Sequence, residues 1–126
     1  MDAKRILVVD DDDAIREVAH LSLEMVGGHE VLDASCGGDA LDRARGEHFD
    51  AILLDVMMPG MDGPAIFRRL QADDATRDIP VILLTAGLLP SDLARFDELG
   101  VRAVLAKPFD PMTLSDEVAE ILGWPR

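Results

Sequence analysis

The sequence predicts an α/β domain in which helices cover both faces of a parallel, five-stranded sheet. Five short apolar stretches alternate with five stretches of helical spacing, and four of the five apolar stretches end at an aspartate, a threonine or a lysine. Such alternation is typical of parallel strands joined by right-handed crossovers. The predicted strands are 5–9, 30–34, 51–55, 79–84 and 101–106, and the predicted helices are 14–26, 39–47, 64–72, 91–99 and 111–122.

Length and charge restrict the classes of protein to be considered. The 126 residues suit one domain, 1–126, and the 25 acidic against 12 basic residues give a formal net charge of −13. This charge argues against direct nucleic-acid binding and against docking on an anionic membrane, because both surfaces attract lysine and arginine. No run is long enough to span a membrane, and no signal peptide is visible. The single cysteine, Cys36, excludes an internal disulfide and is consistent with a cytoplasmic protein.

The first strand, 5–9, runs into four consecutive aspartates at 10–13, and helix 14–26 follows. Either Asp12 or Asp13 can cap that helix, because aspartate oxygens accept hydrogen bonds from its free N–H groups. Gly27 and Gly28 end it. Strand 30–34 is less apolar and is expected near an edge of the sheet. The residues predicted to face inward on the first helix are Ile15, Val18, Ala19, Ser22, Met25 and Val26.

The middle of the chain contains two further predicted helices with a strand between them. Gly37 and Gly38 are predicted to form a turn before helix 39–47. Strand 51–55 is a continuous apolar run closed by an acid, and Pro59 with Gly60 starts the loop before helix 64–72. The inward residues predicted on these two helices are Ala40, Leu41, Ala44, Ile66, Phe67 and Leu70.

The last third begins with a polar loop, 73–78, and with strand 79–84, where Pro80 is tolerated near the first residue. Helix 91–99 is closed by Gly100. Strand 101–106 and helix 111–122 complete the fold, with Pro111 in the first turn of that helix. The inward residues predicted on the last helix are Leu114, Val118, Ile121 and Leu122.

Polar residues of definite type follow four of the five predicted strands. Asp10 and Asp11 follow the first strand, Asp55 ends the third, Thr85 follows the fourth and Lys107 follows the fifth. Each has a plain explanation by itself, such as a helix cap or a solvated side chain. Because the carboxyl ends of parallel strands share one edge of a sheet, where open α/β sheets bind ligands, the four together predict a functional site.

The residue types indicate the chemistry of that site. Three carboxylates at close range repel one another, so a divalent cation is the natural partner, and an oxygen-only ligand set favours Mg²⁺ or Mn²⁺ over zinc. Lys107 and Thr85 can each bind one more phosphoryl oxygen. A carboxylate can also act as a nucleophile and form an aspartyl phosphate, and Asp55, on the central strand, is the candidate.

Four segments in this order resemble the receiver domain of two-component response regulators, and the resemblance covers essentially the whole chain. The segments are ILVVDD at 6–11, LLDVMMPGMDG at 53–63, LTA at 84–86 and AKPF at 106–109. The resemblance implies a flavodoxin-like (βα)5 fold, a doubly wound parallel sheet of strand order 2-1-3-4-5.

Carried over by position, the resemblance makes Asp55 the phosphoacceptor. It implies that Asp11 and Asp55 ligate Mg²⁺ together with the backbone carbonyl of Met57, and that Asp10 holds the water shell of the metal.

The resemblance also implies that Thr85 is the switch hydroxyl, that Lys107 pairs with the phosphoryl group and that the Lys107–Pro108 peptide is cis. One position departs from the family. Three residues before the lysine, where the family often has tyrosine or phenylalanine, this chain has Val104, and it contains no tyrosine. Since valine is too short and too stiff to swing as an aromatic switch, we expect the Thr85 hydroxyl to trigger a rearrangement carried mainly by the loop at Gly87 and the fourth helix.

The function expected from these observations is that of a stand-alone receiver. It would accept a phosphoryl group on Asp55 from a histidine kinase or a phosphotransfer protein, promoting only its own phosphorylation and dephosphorylation. It would then bind a protein partner through the fourth helix, fifth strand and fifth helix. The chain could instead be a receiver fragment of a larger regulator or hybrid kinase.

Three other functions remain to be compared with this one. A phosphatase with an aspartate nucleophile usually carries a second acid two residues on, and Met57 occupies that position. A flavin-binding module needs ring-stacking aromatics, which are scarce among four phenylalanines and one tryptophan. A receiver-like scaffold that works without phosphorylation would look the same in sequence, so this alternative stays open.

Overall fold

The computed structural model describes residues 3–86 and 90–125, and in these ranges five strands alternate with five helices. The strands are β1 (Arg5–Val9), β2 (Glu30–Ala34), β3 (Ala51–Asp55), β4 (Val81–Thr85) and β5 (Ala103–Ala106). The helices are α1 (Asp13–Leu21), α2 (Gly37–Gly46), α3 (Gly63–Gln71), α4 (Pro90–Leu99) and α5 (Leu114–Leu122). A π-helical turn, Ser22–Val26, continues α1. None of the helices in the described ranges is both long enough and apolar enough to cross a bilayer.

The strands form one parallel sheet in the order β2-β1-β3-β4-β5, which confirms the predicted flavodoxin-like fold. β1 pairs with both β2 and β3, so that Leu7 lies between Leu32 and Ile52. From β1 the chain first moves outward to β2 and then crosses to the other side at β3. This reversal opens a crevice at the carboxyl ends of β1 and β3, which is where such sheets bind their ligands.

Side chains of the central strands divide the core into two layers. Leu7 and Val9 point into a layer closed by α2, α3 and α4. Ile6 and Val8 point into the opposite layer, closed by α1 and α5. Because both faces of β1, β3 and β4 are covered, nearly every residue of these strands is buried, which explains their unbroken apolar sequences.

The core positions predicted on α2, α3 and α5 are confirmed. Ten residues were predicted to face inward on these helices, and eight of them are buried: Ala40, Leu41, Ala44, Ile66, Phe67, Leu70, Leu114 and Val118. Ile121 and Leu122 are partly buried against the α1–α5 layer.

The inward stripe predicted for the first helix is wrong at three of its six positions. Val18, Met25 and Val26 are exposed by 41%, 76% and 46%, whereas Leu23 is fully buried. The cause at the C-terminal end is the π-helical turn Ser22–Val26, which is wider than an α-helical turn. Met25 and Val26, which would face inward if the α-helix continued, are therefore rotated away from the core.

The prediction of a turn at Gly37 and Gly38 is also wrong, because these residues form the first turn of α2. Gly37 packs closely on α3: a Cβ atom at this position would lie 3.0 Å from Ile66 Cδ1. A glycine here therefore serves close packing between two helices rather than a chain reversal.

The elements near the C-terminus begin later than predicted. β4 begins just after Pro80, β5 begins at Ala103 and α5 begins at Leu114. Before α5, residues 111–113 form a separate turn, in which the Asp110 carboxylate accepts a hydrogen bond of 2.8 Å from the Met112 N–H. The side chain of Asp110 thus competes with an earlier start of the helix. When the π-helical turn Ser22–Val26 is counted with α1, the other boundaries agree with prediction to within two residues.

Candidate functional site

The carboxyl ends of four strands bring the predicted site residues to one edge of the sheet. Asp10 follows β1, Asp55 ends β3, Thr85 ends β4 and Lys107 follows β5. Asp10, Asp55 and Thr85 are buried, with exposures of 0%, 4% and 6%, whereas Asp11 is exposed. The edge thus combines polar side chains that are held within the protein with one that projects from it.

Three carboxylates and one ammonium group meet at the centre of this edge. One carboxylate oxygen from each of Asp10, Asp11 and Asp55 lies within 4.8 Å of the others. Lys107 Nζ lies 2.7 Å from Asp10 Oδ2 and 2.9 Å from Asp55 Oδ1. One cation therefore faces three anions at close range, and the cluster keeps a net negative charge that favours a further cation.

The pKa values of Asp55 and Lys107 reflect this excess of negative charge in a buried place. Burial and the neighbouring charge of Asp10 raise the pKa of Asp55, although the hydrogen bond from Lys107 opposes the change. Burial disfavours the charged form of Lys107, but its hydrogen bonds to Asp10 and Asp55 outweigh that effect and raise its pKa. Lys107 is therefore a permanent cation at neutral pH.

Backbone contacts fix the loop that follows β1. The Asp12 N–H donates a hydrogen bond of 2.9 Å to Asp10 Oδ1. The Asp12 carboxylate accepts from Ala14 N and Ile15 N at 2.9 and 3.2 Å, so Asp12, and not Asp13, caps α1. The helix cap and the acidic cluster are thus parts of one hydrogen-bonded loop.

The loop after β3 is held by a close approach of two backbone segments. A Cβ atom on Gly63 would lie 2.6 Å from the Asp55 carbonyl oxygen, so only glycine fits there. The Gly63 N–H also donates to the Val56 carbonyl at 2.9 Å. Met57 lies between these points with 74% of its surface exposed, and its N–H lies 3.4 Å from Asp55 Oδ1.

Two further expectations concern β4 and β5. The Lys107–Pro108 peptide is cis, as the resemblance implied. The Lys107 N–H donates to the Thr85 carbonyl at 2.8 Å, which joins the ends of β4 and β5.

Val104 lies beside Leu83 and packs, partly buried, on the layer covered by α2, α3 and α4. Gly87, to which we assigned a role in switching, lies outside the described residues.

Arg16 is the site residue that the sequence analysis missed. Its Nη1 donates to the Asp10 carbonyl at 2.8 Å and its Nη2 to Asp13 Oδ1 at 2.6 Å. A weak signal was available, because Arg16 is the one arginine or lysine between Arg5 and Arg43 and follows four aspartates. Spacing alone could not show that its target is a backbone carbonyl.

The donor set of the cluster fits a hard divalent cation. Carboxylate oxygens converge, no nitrogen or sulfur ligand belongs to the group that the described residues form, and one acid remains exposed. Mg²⁺ prefers such ligands and retains several waters, which leaves room for phosphoryl oxygens. Asp10, Asp11 and Asp55 could therefore hold Mg²⁺ at this edge.

A comparison with known protein families agrees with the fold and with this edge. The family described as the response regulator receiver domain matches residues 6–119. The chain belongs to this family. Receiver domains are the phosphoacceptor signalling domains of two-component systems, and they interact with histidine kinases or phosphotransfer proteins.

Individual relatives include both longer regulators and single domains. The chain is 38% identical over 122 residues to the phosphate regulon transcriptional regulatory protein PhoB of Pseudomonas aeruginosa, covering 97% of this chain and 53% of that protein. It is 39% identical to the probable transcriptional regulator ycf27 of Cyanophora paradoxa, covering 94% of this chain and 48% of that protein. The chain thus spans about half the length of these curated relatives.

Two solved structures show the likeness in three dimensions. The chemotaxis protein CheY4 of Vibrio cholerae superposes with a TM-score of 0.88 at 30% identity, covering 95% of this chain and 99% of that one. The receiver domain of a sensor histidine kinase from Pseudomonas aeruginosa gives a TM-score of 0.85 at 30% identity, covering 97% and 99%. That second structure has a magnesium ion coordinated in its active-site cleft.

Proposed function

We propose that this chain accepts a phosphoryl group on Asp55 from a histidine kinase or a phosphotransfer protein. Asp11, Asp55 and the Met57 carbonyl would ligate Mg²⁺, with Asp10 acting through the water shell of the metal. The observation that carries the proposal is the convergence of three carboxylates and Lys107 at the ends of β1, β3 and β5. The domain, 1–126, would be a single receiver unit and would act in the cytoplasm, to which its one cysteine is suited.

Each residue of the site has a role that follows from its position. A carboxylate oxygen of Asp55 attacks phosphorus, and the bond from phosphorus to the donor breaks as the aspartyl phosphate forms. Lys107, already 2.9 Å from Asp55 Oδ1, binds a phosphoryl oxygen and stabilises the charge that develops during transfer. A bound Mg²⁺ would supply further positive charge against those oxygens. Thr85 is buried at the end of the neighbouring strand, and its hydroxyl donates a hydrogen bond to an oxygen of the phosphoryl group once the aspartyl phosphate has formed.

An apolar groove of about 420 Å³ lies beside the site and suits the phosphodonor protein. Its walls include Ile15 and Val18 of α1 and Phe109 after β5, and Lys107 borders both the groove and the acidic cluster. Val18, predicted to face inward, is instead exposed on this groove. A partner helix that buries its apolar face here would hold its phosphohistidine next to Asp55.

The test of the proposed function is phosphorylation by acetyl phosphate followed by weighing of the intact protein. With Mg²⁺ we expect the mass of one added phosphoryl group on the wild type, and little without the metal. Asp55→Asn should show no gain, because an amide is a poor nucleophile. An equal gain in Asp55→Asn would move the phosphoacceptor to another residue. Sustained hydrolysis of an added phosphomonoester would favour the phosphatase instead.

We expect the output to pass through Thr85 to a partner-binding face made of α4, β5 and α5. Beryllofluoride, a phosphoryl mimic, should change the amide shifts across residues 86–106 in the wild type. Thr85→Ala should lose most of these changes, and Thr85→Ser, which keeps the hydroxyl, should retain them. The changes should remain small at Val104, whose side chain cannot swing. If Thr85→Ala responds like the wild type, the hydroxyl is not the trigger.

A further inference from the structure

Asp11, the exposed acid of the cluster, is positioned through its backbone. Among the residues whose side chains the structure describes, 3–86 and 94–125, none makes a hydrogen bond or ion pair to the Asp11 side chain, whereas the carboxylates of Asp10 and Asp55 are both held by Lys107. The two peptide groups on either side of Asp11 set the position and direction of its Cα–Cβ bond. Whatever fixes those peptides therefore also fixes the point from which this side chain reaches the metal.

Both peptide groups are held, each by a different side chain. The peptide after Asp11 donates its N–H, that of Asp12, to Asp10 Oδ1 at 2.9 Å. The peptide before Asp11 offers the Asp10 carbonyl, which accepts a hydrogen bond of 2.8 Å from Arg16 Nη1. Arg16 Nη2 is at the same time anchored on Asp13 Oδ1 at 2.6 Å, and the Arg16 side chain is only 18% exposed.

We propose that Arg16 is a positioning residue for the metal site: it clamps the Asp10–Asp11 peptide and thereby aims the Asp11 carboxylate at the cation. The inference rests on the proposed function, because it assigns Asp11 as a ligand. The planar guanidinium has two donors in a fixed relation, one for the carbonyl and one for the Asp13 anchor. A lysine in its place has the same charge, but all its donors lie on one nitrogen, so it cannot present two separate nitrogens to the Asp10 carbonyl and to Asp13 Oδ1 as the guanidinium does.

The charge of Arg16 has the opposite effect on metal binding, and this separates two explanations. A cation close to the cluster repels Mg²⁺, so if charge were its only role, removing it would tighten binding. If the clamp dominates, removing it loosens the Asp11 ligand and weakens binding. Outer partners of metal ligands commonly contribute about 10-fold to 100-fold in affinity, whereas the charge of Arg16 is already offset by its ion pair with Asp13, so we expect the clamp to dominate.

The experiment measures Mg²⁺ affinity by calorimetry on the full chain for the wild type, Arg16→Lys and Arg16→Gln. We expect both variants to bind Mg²⁺ about 10-fold more weakly. They should also require correspondingly more Mg²⁺ for half-maximal phosphorylation by acetyl phosphate, with a nearly unchanged rate at saturating metal. Arg77→Gln is the matched control for loss of charge. Arg77 is well exposed and pairs with Asp74 in the loop before β4, at the opposite end of that strand from the site. Melting without Mg²⁺ separates any loss of stability from the loss of affinity.

Each variant decides the question by itself. Arg16→Lys binding Mg²⁺ as tightly as the wild type would show that the fork of the guanidinium is not needed. Arg16→Gln binding more tightly than the wild type would show that charge dominates, and binding equally tightly would show that neither the clamp nor the charge matters. Any of these results overturns the positioning role. Failure of the wild type to bind Mg²⁺ is a different outcome, because it would refute the proposed function itself.

Discussion

Lys107→Met is expected to slow the phosphorylation of Asp55 by acetyl phosphate by about 100-fold or more, the usual cost of removing a group that stabilises transition-state charge. Methionine keeps the approximate size of the side chain but removes the ammonium group. In the wild type this group lies 2.9 Å from Asp55 Oδ1, where a phosphoryl oxygen would come within its reach. The rate is measured by intact mass at saturating Mg²⁺, so that a change in metal affinity does not contribute.

The same substitution should destabilise the metal-free protein. Lys107 pairs with two carboxylates whose side chains are 0% and 6% exposed, and removing one partner of a buried ion pair costs about 3 kcal/mol. The loss should shrink as the pH falls. Burial and Asp10 already raise the pKa of Asp55, so the folded variant takes up a proton at a higher pH than the unfolded chain. Urea denaturation at neutral and acidic pH measures both effects.

A matched control is available because the chain contains only two lysines. Lys4 precedes β1 at the opposite edge of the sheet, where its Nζ lies 5.7 Å from the centre of the Trp124 ring. Lys4→Met should lose at most about 1 kcal/mol of cation–π stabilisation and should be phosphorylated normally. Phosphorylation of Lys107→Met at the rate of the wild type would contradict the role given to Lys107.

The positions of the acidic cluster and of Lys107 were predictable because they depend on two simple regularities. Continuous apolar runs identify strands buried on both faces, and parallel strands end at a common edge. Asp10, Asp55 and Lys107 therefore had to meet if the five strands were identified correctly, and the strand order placed Asp55 between the other two. Assignment of roles to these residues needed the resemblance to a family in addition.

Features that depend on local backbone geometry could not be predicted in this way. The π-helical turn Ser22–Val26 has the same apolar spacing in sequence as an α-helix, so Met25 was expected to be buried. The sequence predicts a turn at Gly37 because it does not distinguish a glycine that forms a turn from one that allows two helices to pack closely. Arg16 donates a hydrogen bond to a backbone carbonyl, and since every residue has such a carbonyl, the sequence does not indicate which one it binds. In each case the deciding feature is a backbone conformation or a three-dimensional contact that the spacing of residue types does not specify.

Mg²⁺ is expected to raise the melting temperature of the wild type and to do so much less in Asp11→Ala. A ligand that binds only the folded state stabilises it by about 1.4 kcal/mol at ten times its dissociation constant, or by a few degrees in a domain of this size. In this protein the cation would also relieve repulsion among three carboxylates whose oxygens lie within 4.8 Å. Asp11→Ala removes the exposed ligand, while Asp10 and Asp55 remain bound to Lys107.

General screening of the net charge of −13 is the alternative cause of such a rise, and the comparison must exclude it. Asp42→Ala provides the control, because Asp42 is an exposed acid on α2 outside the acidic cluster and the substitution changes the charge by the same amount. If Mg²⁺ binds at the cluster, Asp42→Ala should retain the full rise of the wild type, and sodium chloride at equal ionic strength should reproduce little of it. A rise of equal size in Asp11→Ala and Asp42→Ala would mean that Mg²⁺ acts on the surface charge as a whole and that Asp11 is not a ligand.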